Sequence, residues 1–264
     1  MKTPLAIATL RANPRKLLNA GVAILRARAA GTVFGTSWAF LSPLLFMGLY
    51  AVIYLLIFRV RVPDLTSFQY VLYVLSGLMP FILTAEAISA SASSIAGNTN
   101  LLSNTVFPVA LMPAQHVVAS QGVFVAAGPV ILTIAIFTGT ASEWMLLVPV
   151  VWAFHMVALL GLCWVIAILN VFFRDIQQFI GVALMALLIA SPFAYTPDMV
   201  PAALKPLIYA NPLAYFIIAY QSLIVYGTLP PTEIMIGLVI FALGSFLIGS
   251  IVFDRLVPVA IDHV

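Results

Sequence analysis

The stretch Asn170-Val171-Phe172-Phe173-Arg174-Asp175, an apolar run from Ile176, then Ser191-Pro192-Phe193-Ala194-Tyr195-Thr196-Pro197-Asp198-Met199-Val200-Pro201, closing on Asn211-Pro212, decides how this chain folds. Its charged pair, Arg174-Asp175, separates two segments that are each long enough to cross a bilayer, and the second ends in a cluster of prolines rather than an ordinary loop. Beyond Asn211-Pro212 the apolar run Leu213 to Tyr226 reaches only about 21 Å as a helix, short of a hydrocarbon core of roughly 30 Å. It is therefore expected to dip into the membrane and return. Asp175 followed by Gln178 also fits a capping box for the helix that begins there.

Working outward, the 264 residues are 64% hydrophobic and only 7% charged, with a mean hydropathy of +1.17. That lies far outside soluble composition. Apolar runs of spanning length cover about Gly31–Phe58, Tyr70–Ser93, Val109–Phe137, Trp144–Phe172, Ile176–Ala194 and Ile234–Phe253. In lipid each must be a helix, because a helix satisfies its own backbone. The expected fold is an all-α polytopic membrane protein forming one transmembrane domain over residues 1–264. It comprises an interfacial segment (1–30), five spans (31–194), a re-entrant outer helix pair (195–230), and a sixth span with its tail (231–264).

Lys and Arg set the orientation, since basic flanks resist translocation. Lys2, Arg11, Arg15, Lys16, Arg26 and Arg28 precede the first span, six of the eleven basic residues. This places the N-terminus in the cytoplasm. Six spans return the C-terminus there with Arg174 and Arg255, leaving Arg59, Arg61 and Lys205 outside. A seventh span through Leu213–Tyr226 is the alternative and would export the tail. The basic N-terminal region followed by a full-length span reads as no cleaved signal peptide. Cys163 is the only cysteine and lies within the fourth span, so no intrachain disulfide is expected.

Residues 14–29 read as an amphipathic helix on the cytoplasmic membrane surface, with Asn13 as cap and Pro14 at the first position. At 100° per residue, Arg15, Asn19 and Arg26 fall within about 40°, while Leu17, Leu18, Ile24 and Leu25 occupy an opposite arc of about 120°. Such a face sets topology and also suits a cytoplasmic partner. In the first span Phe34, Trp38, Phe46, Tyr50, Tyr54 and Phe58 recur at multiples of four. That spacing drifts about 40° per step, so only Phe46, Tyr50 and Tyr54 stay within about 80°. These three are the candidates for lining a lumen. Glu86 in the second span is the intramembrane acid: either a proton site with a partner inside the bundle, or a carboxylate near the cytoplasmic end that reaches water. His116 and His155 have no second ligand at metal spacing and read as packing residues. The polar loop Ser94–Pro108, with Asn98, Asn100 and Asn104, faces the cytoplasm in this topology.

No phosphate-cradling Gly-x-x-x-x-Gly-Lys-Ser/Thr stretch, no clustered His, Cys or carboxylate set and no Gly-x-Ser-x-Gly elbow is present. Enzyme chemistry, bound cofactors and metals are not expected of this chain, nor is nucleic acid as a partner. A proton-coupled carrier using Glu86 is an alternative from a different class, and a non-transporting membrane subunit is a third.

Three ordered patterns resemble the membrane subunit of type-2 ABC exporters, in the branch that exports O-antigen, capsular and teichoic polysaccharides. They are Arg26-x-Arg28 with Phe34-Gly35, Trp38 and Pro43; Gly77-Leu78-Met79-Pro80-Phe81 through Asn100-Leu101-Leu102 to Val106-Phe107-Pro108; and Asn170 to Asp175 with Ser191-Pro192, Tyr195, Pro201 and Asn211-Pro212. The resemblance implies a homodimer in the inner membrane, bound to two copies of a separate ATPase subunit that carries ATP and Mg, with a lipid-linked glycan as substrate. It implies that the surface helix (Arg15, Arg26, Arg28) and the loop at Asn98, Asn100, Leu101 and Asn104 meet the ATPase. It also implies an outer gate around Pro201, Asn211, Pro212 and Tyr215, and an inner-loop role for Arg174 and Asp175. The chain departs from the family where Ser103, Asn104 and Val109 replace basic residues, and at Gln221, where an arginine is common nearby. Exporters of drugs or lipids are the nearest alternative within the fold, but Arg59 to Gln69 leaves no room for the large outer domain common in that branch.

Overall fold

The computed structural model describes residues 4–28, 31–60, 62–63, 65–98 and 107–262. Among them every regular element is helical: α1 (Leu5–Ala12), α2 (Pro14–Arg28), α3 (Trp38–Val52), α4 (Ser67–Ala92), α5 (Leu111–Ser120), α6 (Gly122–Thr138), α7 (Val148–Phe172), α8 (Ile176–Ala190), α9 (Lys205–Ala210), α10 (Pro212–Gln221) and α11 (Thr232–Asp262). Five continuous helical stretches are long and apolar enough to span a bilayer: Gly35–Ile57, Ser67–Ala92, Leu111–Thr138, Glu143–Phe172 and Thr232–Ala260. The segments Ala202–Ala210 and Pro212–Tyr226 form a pair bent by 97°.

The expected fifth span, Ile176–Ala194, is helical only to Ala190. The residue before a proline is pushed out of the α region, and Ser191, ahead of Pro192, takes φ −85° and ψ 133°. The 15 residues of α8 reach about 22 Å, and Ser191–Ala194 continue as buried, non-helical chain. The expected capping box at its start is absent. Asp175 has helical dihedrals (φ −67°, ψ −16°) and makes no side-chain cap, because the Arg174-Asp175 turn already winds as helix, whereas an N-cap needs extended backbone. The second span does carry a capping box, Thr66 with Gln69.

Helix α4 is the axis of the bundle. Of its spanning window 83% is buried, against 17% for the first span, and it packs on α3, α5, α6, α7, α8 and α10. The third span breaks at Gln121, whose amide nitrogen donates to the Val117 carbonyl at 2.7 Å while its oxygen accepts from Trp152 Nε1 at 2.7 Å. The most extensive helix pair is α7 with α11. It depends on glycine: a Cβ on Gly161 would lie 2.1 Å from the Ser245 carbonyl oxygen, and one on Gly249 would lie 2.3 Å from that of Gly161. Small residues let the backbones touch, the general device for helix association in lipid.

The amphipathic segment forms α2 as expected, preceded by the unanticipated α1. Gly21, in the middle of the apolar arc of α2, lets the helix press on Val118 of α5, where a Cβ would lie 2.6 Å from that side chain. Asn13 turns its amide back to the Thr9 carbonyl at 3.1 Å. Pro4 supplies no side-chain cap for α1. Instead the backbone N–H groups of Leu5 and Ala6 donate to the Asp254 carboxylate of α11. The first and last helices therefore meet at one end of the bundle, around Ala6, Ile95, Ala110, Trp164, Phe253 and Ala260.

Gly161→Val forces a branched side chain into the Ser245 backbone. Overpacking costs about 1–3 kcal/mol, so the thermal unfolding midpoint of the purified protein falls, while Gly244→Ala, on open space in α11, leaves it unchanged or higher. Asp254→Ala removes the cap from α1, at about 1 kcal/mol, and is expected to raise amide exchange in residues 5–8 selectively.

Candidate functional site

The three aromatics from the first span stand together on α3. Ring centroids lie 4.6 Å apart for Phe46–Tyr50 and 6.2 Å for Tyr50–Tyr54, and the row continues to Phe58 at 5.3 Å. Met47 and Ala51 of the same helix are buried in the core, which leaves Phe46 39% exposed and the two tyrosines half-buried. The turn Ile53–Ile57 is π-helical, the kind of bulge that re-aims side chains. Behind the row stands Phe193, only 2% exposed, edge-on to Tyr50 at 5.9 Å and to Tyr54 at 5.6 Å.

Phe193 belongs to the non-helical stretch after α8, whose carbonyls must find partners away from water. Three side chains provide for it, and a fourth holds the Ser191 hydroxyl. Tyr70 Oη donates to the Ala194 carbonyl at 3.0 Å and Tyr73 Oη to that of Tyr195 at 3.1 Å. Gln221 Nε2 donates to the Pro192 carbonyl at 3.1 Å, with the Phe193 and Tyr73 carbonyls at 3.4 Å. Asn211 Nδ2 donates to Ser191 Oγ at 3.0 Å, and its Oδ1 accepts from the Leu213 N–H at 2.9 Å, capping α10. Gly77 makes the approach possible, since a Cβ there would lie 2.7 Å from Gln221 Nε2 and 2.8 Å from Phe193 Cα. Burial of the Tyr195 hydroxyl and the neighbouring Tyr54 raise its pKa above the usual phenol value.

The bent pair touches two levels of the bundle. Thr196, Pro197, Asp198, Tyr209 and Tyr226 share a cavity of about 400 Å³ with Tyr73, whereas Asn211 and Pro212, at the bend, line a small cavity with Thr84 and His155. Tyr215 donates to the Tyr209 carbonyl at 2.8 Å, its ring lying against Gly237. Pro201 is exposed at the start of a short 3₁₀ turn. Thr84 donates to the Pro80 carbonyl at 2.8 Å, so its oxygen accepts from His155 Nε2 at 2.8 Å. The imidazole stacks on Phe216 at 4.5 Å.

Glu86 is 30% exposed and pairs with Arg28 at 3.0 Å, tying α2 to α4. Arg15, Arg26, Arg174 and Asp175 are exposed. Asn98 donates to the Ser94 carbonyl at 3.0 Å, while Asn100, Leu101 and Asn104 lie outside the described residues. Among the described residues no group of three His, Cys, Asp or Glu could hold a metal. Sequence reasoning missed Phe193, Tyr70, Tyr73 and Asp254 as positioning groups, and noticed Gln221 only as a departure. A polar residue inside an apolar run was the available signal, but its partner lies far away in the chain.

Compared with known proteins, residues 22–225 match the family model described as "ABC-2 type transporter". Two proteins of Klebsiella pneumoniae named "O-antigen export system permease protein RfbA" are 29% and 28% identical to the chain, over 88% and 78% of both sequences. A Myxococcus xanthus protein of the same name is 28% identical over 87% of this chain and 88% of its own length.

Gln221→Leu keeps the side-chain volume but orphans the Pro192 carbonyl, and a buried unpaired acceptor costs about 1–3 kcal/mol. Its thermal midpoint is expected to fall, and alkylation of a cysteine placed at Phe193 to speed up relative to the same cysteine with Gln221 intact.

Proposed function

The chain belongs to the ABC-2 type transporter family, and we propose that it pairs with a second copy and two separate ATPase subunits to export a lipid-linked polysaccharide across the inner membrane. As a member of this family it is a multi-pass membrane subunit of an ABC transporter, a transport protein. The substrate class is carried by one observation: a continuous row of rings, Phe46 to Phe58, backed by the buried Phe193 and left uncovered along one side. The apolar face of a sugar stacks on such rings while its hydroxyls keep their hydrogen bonds. The relatives' name, O-antigen export system permease protein, supports the same class.

The first span is the least buried of the five long helices at 17%, and α8 exposes Phe179, Val182, Met185 and Ile189. These faces suit a second copy across a shared lumen. The bent pair, with its Tyr226 end against Tyr73 and its corner near Thr84, is read as a re-entrant outer gate. Because α1 and the end of α11 meet through Asp254, the termini share a face, and the basic N-terminal segment assigns that face to the cytoplasm. ATP and Mg belong to the partner ATPase, which docks on the exposed basic side of α2 and the adjoining inner loop. Glu86 already has a counter-charge in Arg28, which weighs against a proton-driven carrier.

Depleting the protein in its native host is expected to strand lipid-linked polysaccharide on the cytoplasmic side and to bare the cell surface of that glycan. Unchanged surface glycan after depletion would contradict the assignment and favour a drug or lipid substrate.

A further inference from the structure

The rings on the first span wind around the helix by about 40° per step, and one step of that winding row carries no ring. Counting in fours gives Phe34, Trp38, Ser42, Phe46, Tyr50, Tyr54 and Phe58. Rings touch on both sides of the gap: Phe34–Trp38 at 5.5 Å on one side, Phe46–Tyr50 at 4.6 Å on the other. At the gap lies a cavity of about 150 Å³ lined by Trp38, Ser42, Arg28, Glu86, Leu25 and Gly122, among others. That is the space of about five liquid waters, the scale of one six-membered sugar ring rather than two.

Its lining has the chemistry a sugar needs. The Trp38 ring offers an apolar face with polar edges. Arg28 and Glu86, held to each other at 3.0 Å and each about one-third exposed, present a planar donor fork beside a planar acceptor, the pair that neighbouring hydroxyls engage together. The ion pair fixes both groups before any ligand arrives, which lowers the ordering cost of binding. Ser42 leaves room where any larger residue would close the gap, and its hydroxyl already donates to the Trp38 carbonyl at 2.9 Å, so its oxygen is free to accept. Gly122 keeps the far wall open, with Leu25 packed over it.

The geometry points to a monosaccharide subsite at Ser42, bounded by Trp38, Arg28 and Glu86, that takes one sugar unit of the glycan where it enters the row of rings. This rests on the polysaccharide assignment and adds to it a place, a size of one ring and three named contacts. The ion pair also anchors α2, so a test by loss of function alone would confuse anchoring with binding.

The test uses Ser42→Cys in the full transporter, in inverted membrane vesicles from cells with glycan synthesis switched on or off, with a maleimide as the probe. Cys163 is buried and serves as the unreactive background. A site two-thirds occupied reacts about threefold more slowly, so labelling at position 42 is expected to slow about threefold or more in glycan-producing membranes. Adding Glu86→Gln is expected to remove that protection, while a cysteine at the exposed Ala12 of α1, outside the spans, labels equally in both membranes. Ser42→Phe, which supplies the missing ring, is expected to reach wild-type membrane levels and lose surface glycan. Equal labelling at position 42 in both membranes, or normal export by Ser42→Phe, in cells whose wild-type protein does export the glycan, overturns the subsite and leaves the polysaccharide assignment standing. Loss of that assignment is recognised separately, by surface glycan that survives depletion of the wild-type protein.

Discussion

A backbone that leaves the helical conformation inside a membrane protein must find a partner for every carbonyl and amide it frees, because lipid offers none. In this chain the requirement falls on Ser191–Tyr195. Tyr70 and Tyr73 of α4 and Gln221 of α10 meet it, Asn211 at the start of α10 holds the Ser191 hydroxyl, and much else is arranged around that demand. Gly77 has no side chain so that Gln221 and Phe193 fit. Helix α4, the most buried span, carries two of the four donors. The corner of the bent pair is fixed by Asn211, which caps α10 and holds Ser191 at once. Phe193, locked by these bonds, then sets the back wall of the Tyr50–Tyr54 face, so the hydrogen bonds of one short loop determine the shape of that ring-lined surface.

The spans were legible in the sequence because apolar length is a one-dimensional signal. The Ser191-Pro192 helix end and the Asn211-Pro212 cap each act within two residues and were open to the same reading, although the expected span runs on to Ala194 and no cap is expected at Asn211. Long-range pairs were not. Asp254 caps a helix 249 residues away, and no local pattern announces a carboxylate on the last span serving the first turn of the chain. Phe193 meets Tyr50 and Tyr54 across the bundle, a contact that no periodicity encodes. The expected box at Asp175 and Gln178 failed because a residue pattern states which groups are present, while the cap depends on whether the backbone is extended when it reaches them. The Gly161–Gly249 contact shows the opposite limit: small residues are common in spans, and only the three-dimensional packing tells which of them a neighbouring backbone actually needs.

The site follows the same division. That Phe46, Tyr50 and Tyr54 share a face follows from 100° per residue, and their ring contacts agree. Glu86 was open to two readings in the sequence, and its partner Arg28 lies on a helix outside the spans, where no local pattern points to it. Mechanically, the chain combines a row of rings on a thinly buried first span, a deeply buried α4 and a segment bent at Asn211, with α2 tied to α4 through the Arg28–Glu86 ion pair. Force applied at α2 would therefore reach the same helix that holds the Ser191–Tyr195 loop.

The most direct test of this account is transport in proteoliposomes holding the purified protein with its ATPase partner and a fluorescent lipid-linked glycan loaded on the ATPase side. The account predicts transfer of the glycan to the opposite face only with ATP and only with both subunits. Glycan that stays on the loaded side while ATP is hydrolysed, or transport by the isolated protein under a proton gradient without ATP, would contradict it.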